Sequence, residues 1–149
     1  MPTAYPAWMS SSLLAAKATY TIDEDQIDGV IHIVVEGFFD LPTLRKHFVD
    51  KAAIVTRWRA AGRPVRVLIN AVNLKPHTAE GQACVQDATA RIYKAGDRVA
   101  ILLSSSLVKM QMRRALSHDE IISFFISSNA ALTWLDVRKQ LVRSCQEAR

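Results

Sequence analysis

The residues best suited to acid–base or nucleophilic chemistry are three histidines and a few hydroxyl and carboxylate side chains. They are His47, His77 and His118, with Thr78, Ser104, Ser105, Ser106, Asp40 and Asp119. A hydrolase would place a hydroxyl beside a histidine base that a carboxylate orients. The sequence contains no G-x-S-x-G elbow, no H-E-x-x-H helix and no phosphate-binding glycine loop. A protein that is not an enzyme is therefore the favoured interpretation, with a hydrolase using His77 or His118 as an alternative.

The cysteines indicate neither a disulfide framework nor a metal centre. Cys84 and Cys145 lie far apart, and neither has a second cysteine at the spacing of a zinc site. We expect two buried thiols, no bound metal and no cofactor.

Length and composition are typical of one soluble globular domain. The chain has 149 residues, of which 50% are hydrophobic and 22% are charged. No apolar run reaches the roughly 20 residues that cross a bilayer, and the first residues lack the basic start of a signal peptide. We expect a cytoplasmic protein with a flexible leader (1–18), one domain (19–143) and a frayed tail (144–149).

The formal net charge of +5 comes mainly from two basic stretches. They contain Arg45, Lys46, Lys51, Arg57 and Arg59 in the first and Lys109, Arg113 and Arg114 in the second. Such segregation can attract an acidic partner, although solvated helix faces give the same pattern. We expect no nucleic acid as a partner, because no recognition motif or aromatic stacking platform is present.

Strand-like and helix-like segments alternate along the chain. Strands are predicted at Tyr20–Asp25, Val30–Glu36, Val65–Asn70, Arg98–Leu103 and Glu120–Ile126, and helices at Leu41–Ala61, Ala79–Ala95, Leu107–Leu116 and from Ser128 or Asn129 onward. The β-β-α-β-α-β-α-β-α order predicts an α/β fold with a mixed, mainly parallel sheet of about five strands and one antiparallel edge strand.

The first predicted helix has an apolar stripe that should face the sheet. Its members are Leu44, Phe48, Ala52, Val55 and Trp58. The basic residues of this helix fall mostly outside the stripe, so we expect them to face solvent.

Polar residues follow the carboxyl ends of three predicted strands, at Gly37–Asp40, Asn70–Thr78 and Ser104–Ser106. In open α/β sheets this edge is where ligands bind, and helix N-termini there offer free N–H groups to an anion. Phe38, Phe39 and Leu74 would add an apolar wall, with Asn73 and His77 beside it. The alternative is that the two phenylalanines close the core and the serines cap a helix.

Four short motifs resemble the STAS superfamily, and more closely its SpoIIAA-like branch of bacterial domains. They are E-G-x-x-D at Glu36–Asp40, V-L-I-N at Val67–Asn70, R-V-A-I at Arg98–Ile101 and F-F near the last strand. The likeness covers about Tyr20–Leu135. It implies the STAS fold, which is also related to the CRAL-TRIO lipid-binding domains.

The resemblance also implies where a phosphorylation switch would lie. Anti-sigma-factor antagonists of this superfamily carry an Asp-Ser-Ser/Ala-Gly motif after the central strand. An ungapped match places Thr78 on the Asp, Ala79 on the phosphorylated serine and Gly81 on the glycine. Ala79 has no hydroxyl, so phosphorylation at Thr78 requires a shifted register. The alternative role for Thr78 is to cap the second helix.

Two functions follow from the resemblance. The first is a regulatory or interaction domain that engages a protein partner, or a second copy of itself, through Asn70–Gly81 and the basic helix, with Arg57 and Arg59 as contacts. The second is a domain that binds a small apolar or anionic, lipid-like ligand, by analogy with the CRAL-TRIO domains.

Overall fold

A computed structural model of the protein describes residues 17–115 and 120–135. The strands are β1 (Thr19–Asp25), β2 (Val30–Glu36), β3 (Arg66–Asn70), β4 (Arg98–Leu102) and β5 (Ile122–Phe125), and the helices are α1 (Leu41–Ala60), α2 (Ala79–Ile92), α3 (Ser106–Ala115) and α4, described over residues 128–135. The strands form one sheet in the order β1-β2-β3-β4-β5. Only β1 is antiparallel to its neighbour, so the mixed sheet with one antiparallel edge is confirmed.

The hairpin between β1 and β2 is closed by an acidic turn. The Asp25 carboxylate accepts hydrogen bonds from the backbone nitrogens of Ile27 (3.1 Å) and Asp28 (3.0 Å). Gly29 then adopts a φ of 72°, a conformation that costs glycine little. The turn fixes the register that pairs Ile22 with Ile33.

The strand order places most helices on one face of the sheet. Each parallel crossover steps in the same direction, so right-handed connections put α1, α2 and α3 on the same side. The main core lies there, where Ile31, Ile33, Val67 and Val99 are fully buried. A smaller core on the opposite face joins Val30, Leu68 and Ala100 to Ala131 and Leu135 of α4.

Helix α1 begins where the sequence predicts. The Asp40 carboxylate accepts a hydrogen bond from the Thr43 backbone nitrogen (2.9 Å), and Pro42 occupies the first turn. The buried residues of the helix are Leu44, His47, Phe48, Lys51, Val55 and Trp58.

The predicted apolar stripe of α1 is wrong at one position. Ala52 is only half-buried, whereas Lys51 is 4% exposed. Lys51 follows Phe48 by three residues and precedes Val55 by four, so helical geometry aligns it with the buried face. A lysine expected in solvent therefore lies in the core.

The ends of two helices also differ from prediction. Helix α2 stops at Ile92 and not at Ala95, because Tyr93 turns to an extended conformation and buries its ring in the main core. At the start of α4, Ser127 occupies the capping position predicted for Ser128 or Asn129. Its carbonyl accepts from the Ala131 nitrogen and its hydroxyl from the Ala130 nitrogen.

Some predictions fall outside the described residues. They concern His118, Asp119, Cys145, the tail 144–149 and residues 1–16 of the leader. Lys17, within the predicted leader, forms an isolated parallel bridge with Phe38. None of the described helices combines the length and the hydropathy that spanning a membrane requires.

Candidate functional site

The loop 71–78 is held against the end of β2 by a set of short hydrogen bonds. Gly37, with a φ of 81°, ends β2 and donates to the carbonyl of Asn73 at 3.0 Å. The Lys75 nitrogen donates to the Gly37 carbonyl at 2.9 Å, and the Asn73 side chain donates to the Glu36 carboxylate at 3.0 Å. The carboxyl edge of the sheet is therefore a well-fixed border.

This border presents both apolar and polar side chains to solvent. Phe38 is 37% exposed and Val72 is 36% exposed, whereas Phe39 is buried. Asn73, Lys75 and Thr78 are exposed as well. We call these five exposed residues, Phe38, Val72, Asn73, Lys75 and Thr78, the rim surface.

Three of the predicted site residues have structural roles at the rim. The Thr78 hydroxyl accepts from the Gly81 nitrogen at 3.0 Å and caps α2, which confirms the capping alternative. Asp40 caps α1 in the same way, and the Asn70 side chain accepts from the Val72 nitrogen at 3.1 Å. Each side chain satisfies a backbone N–H that would otherwise lack a partner.

The three serines lie at the same edge of the sheet. Ser104, Ser105 and Ser106 are all exposed, directly after β4. The Ser105 carbonyl accepts from the Lys109 nitrogen at 3.0 Å, the first hydrogen bond of α3.

The structure does not bring Arg57 and Arg59 to this edge. Both lie in the last turn of α1, whose first turn is at the rim, and a helix of 20 residues is about 30 Å long. Arg57 pairs with Glu24 of β1 at 3.1 Å. Arg59 pairs with Asp97 before β4 at 2.5 Å. The two arginines therefore join parts of the fold at its other end.

A cavity of about 70 Å³ lies between the sheet and helices α1 and α2. Val35, Ile69 and Ile101 form its floor, and most other lining residues are apolar as well. Three predicted site residues, Phe39, Leu74 and His77, line it. The apolar wall expected near the rim therefore continues into the core.

The cavity also contains polar groups that the sequence analysis did not place at this edge of the sheet. They are His47, Lys51, Thr89 and Tyr93. The Tyr93 hydroxyl and the Nδ1 atoms of His47 and His77 are buried and have no hydrogen-bond partner among the described residues. The spacing of His47 and Lys51 within the buried face of α1 is the signal that could have found them.

Burial shifts the pKa values of these groups toward their uncharged forms. Desolvation, and secondarily the charge of Lys51, lowers the pKa of His47 to about 3. Desolvation lowers the pKa of Lys51 to about 7 and also lowers that of His77. Burial, with a contribution from Asp97, raises the pKa of Tyr93, so its hydroxyl stays a hydrogen-bond donor at neutral pH.

The hydrolase alternative names His77 or His118 as its base. A base that activates a nucleophile is normally oriented by a hydrogen bond, and the Nδ1 atoms of His47 and His77 have no partner among the described residues. His118 lies outside the described residues. Within residues 17–115 and 120–135, no three His, Cys, Asp or Glu side chains cluster closely enough to hold a metal ion.

Comparison with known proteins finds likeness at the level of structure alone. No family model and no curated protein matches the chain. The crystal structure of an uncharacterised DUF3478-family protein with a SpoIIAA-like fold, from Shewanella loihica, matches with a TM-score of 0.58 at 18% identity, over 79% of this chain and 93% of that one. The chain has a SpoIIAA-like fold.

A second structure with this fold carries a functional description. An anti-sigma factor antagonist from Mycobacterium paratuberculosis matches with a TM-score of 0.57 at 15% identity, over 80% of this chain and 95% of that one. Both matches support the STAS, SpoIIAA-like resemblance that the sequence motifs indicate. At identities of 18% and 15%, these matches show the SpoIIAA-like fold of this chain and do not show its function.

Proposed function

We propose that this protein is a non-enzymatic regulatory domain of the STAS type, which acts by contact with a protein partner. The contact surface is the rim surface together with the start of α2. The proposal draws on the SpoIIAA-like fold and on the anti-sigma factor antagonist that shares it. A second copy of the chain is the alternative partner.

The observation that carries the proposal is the exposure of Phe38 and Val72 on a fixed border. Apolar side chains that lie together and are rimmed by polar ones mark protein contact sites, and Phe38 and Val72 are the sequence neighbours of Gly37 and Asn73, which a backbone hydrogen bond joins. The hydrogen bonds of Gly37 hold the two segments together, so little conformational entropy is lost when a partner binds.

Regulation at this surface would not use the phosphorylation switch of the anti-sigma-factor antagonists. Ala79 stands at the phosphoserine position, and the Thr78 hydroxyl already caps α2. Binding at the rim surface is therefore expected without prior modification of the chain.

Site-specific photo-cross-linking in the native host tests this proposal. A photoreactive side chain at Val72 should give one discrete cross-linked product, either with a single partner or with a second copy. Ile27 is a matched control, because it is apolar and 93% exposed in the hairpin at the other end of the sheet. Equal products from the two positions, or none from Val72, would contradict the proposal.

The cavity favours a second candidate function, the binding of a small apolar or anionic, lipid-like ligand by analogy with the CRAL-TRIO domains. Buried polar groups without partners each cost about 1–3 kcal/mol, and three of them are contributed by residues that line one cavity. A ligand with a polar or anionic end would offer them partners, while its apolar part fills the rest of the cavity.

Nuclear magnetic resonance titration with toluene checks whether the cavity admits an apolar molecule. Toluene should shift the methyl signals of Ile69 and Ile101, and unchanged spectra would exclude this function.

A further inference from the structure

The buried ammonium of Lys51 is the most unusual feature of the cavity. Lys51 is 4% exposed, and no carboxylate among the described residues forms an ion pair with it. Its Nζ atom lies 4.8 Å from the centre of the Phe48 ring and 5.9 Å from that of Tyr93. Aromatic faces compensate a cation only in part, so a buried lysine usually has an anionic partner as well.

Two residues with hydrogen-bond donors line the same cavity, Lys51 and Tyr93. The Tyr93 hydroxyl is buried and has no hydrogen-bond partner among the described residues, and the Lys51 ammonium lies over the Tyr93 ring. His47 adds a neutral imidazole from the same face of α1, with an unpartnered Nδ1 atom. The strands contribute only apolar side chains to the lining, such as Val35, Ile69 and Ile101. The site therefore combines a cationic, polar end with an apolar wall formed by the strands.

We infer that the cavity binds a small organic acid, whose carboxylate pairs with the Lys51 ammonium and accepts a hydrogen bond from the Tyr93 hydroxyl. The hydrocarbon part of the acid then packs against Ile69 and Ile101. This inference rests on the ligand-binding function proposed above and names the chemical class of the ligand.

The dimensions and donors select this class. A cavity of about 70 Å³ that opens toward the rim suits a short or branched carboxylic acid and excludes a long-chain lipid. One ammonium and one hydroxyl match the two oxygens of a carboxylate. A phosphate would need further donors for its third and fourth oxygens.

Access to the cavity is from the side of the rim. The lining residues that keep some exposure are Leu74 and His77 of the loop 71–78, Val85 of α2 and Met112 of α3. Tyr93 follows the last residue of α2, whose first turn is at the rim, and Lys51 lies halfway along α1, so these two buried residues lie at the inner end. An acid would therefore enter with its carboxylate foremost.

Calorimetry and nuclear magnetic resonance with the complete chain test the inference. The probes are isovalerate, its neutral isostere isovaleramide, toluene and inorganic phosphate. Isovalerate should bind at least about tenfold more tightly than isovaleramide, as expected for a charge-assisted pair. Lys51→Met should abolish this preference while toluene still binds. The control Lys94→Met, at an exposed position, should keep it.

The outcomes separate this inference from the function on which it rests. If toluene binds but isovalerate and isovaleramide bind equally, the cavity accepts ligands and the assignment of an acid is wrong. If no probe binds, both are wrong. Binding of phosphate in place of isovalerate also overturns the assignment. The comparison of isovalerate with isovaleramide uses the native chain, so it decides the matter even if Lys51→Met does not fold.

Discussion

The guanidinium of Arg59, in the last turn of α1, forms an ion pair with the carboxylate of Asp97, with 2.5 Å between Nη2 and Oδ2. The same carboxylate accepts from the Lys94 backbone nitrogen at 2.8 Å, which closes the turn between α2 and β4. One residue predicted to contact a partner is therefore a structural link between α1 and the turn before β4.

Loss of this link should destabilise the fold. Asp97→Ala removes the ion pair with Arg59 and the acceptor of the Lys94 backbone nitrogen, so we expect the free energy of unfolding to fall by about 3 kcal/mol. Asp87→Ala removes an exposed ion pair with Arg91 and should cost less than about 0.5 kcal/mol. Urea denaturation compares the two variants, and equal losses would show that the Arg59–Asp97 pair has no special role.

The Glu24 carboxylate should matter more than its exposed partner Arg57. Glu24 accepts from Nε1 of the buried Trp58 at 2.6 Å, and Arg57 approaches from solvent with a side chain that is 62% exposed. Glu24→Ala should cost about 1–3 kcal/mol, because the indole N–H loses its acceptor. Arg57→Ala should cost less than about 1 kcal/mol. Chemical denaturation of both variants checks this order, and the reverse order would contradict it.

Stability should rise as the pH increases above neutrality. The pKa of Lys51 falls from 10.5 to about 7 on folding, so the unfolded chain binds more protons in that window. The free energy of unfolding should increase by up to about 1.4 kcal/mol per pH unit. Lys51→Met should remove this slope, and Lys94→Met should keep it. Urea denaturation of the three proteins between about pH 7 and pH 10 measures this slope. A free energy of unfolding of the wild type that does not change with pH would contradict the lowered pKa of Lys51.

Acid should also reduce the stability of the protein, through other titratable groups of the cavity. The cavity that contains Lys51 is also lined by His47, His77 and Tyr93, and the charge of Asp97, outside the cavity, contributes to the raised pKa of Tyr93. Below neutrality His47 gives a trend of the same sign, because its pKa is about 3 in the folded protein. Acidification from about pH 6.5 should therefore reduce stability further. His47→Gln should lessen this acid sensitivity.

Replacement of Thr78 tests its capping role against the phosphorylation hypothesis. Thr78→Ala should cost about 1 kcal/mol and Thr78→Ser should cost almost nothing, because serine also accepts from the Gly81 nitrogen. Phosphopeptide mass spectrometry of protein from the native host should find Thr78 unmodified. Stoichiometric phosphorylation of Thr78 would contradict this prediction and support the phosphorylation hypothesis.

The bounds of β2 and the start of α1 were predictable because local chemistry determines them. Strand β2 matches its prediction at both ends, since a β-branched run lies between Gly29 and Gly37. Helix α1 begins at Leu41 as predicted, because Asp40 is a strong N-cap and the first turn of a helix tolerates a proline such as Pro42.

The interior of the site could not be predicted in the same way. The sequence analysis assigned Lys51 to the basic surface because a charged side chain is normally exposed, although its position in α1 aligns it with the buried face. Its burial depends on the sheet that packs against this face. The end of α2 depends on the core position that the Tyr93 ring reaches. Phe39, Leu74 and His77 were predicted near the edge, and only the assembled sheet shows that they line a cavity.

The most direct test of the account measures binding of the partner captured through Val72 to two variants. Val72→Asp places a charge within the rim surface and should weaken binding by at least about tenfold. Ile27→Asp places the same charge in the distant hairpin and should leave the affinity unchanged. Equal effects of the two variants, or full affinity with Val72→Asp, would contradict the assignment of the rim surface as the contact site.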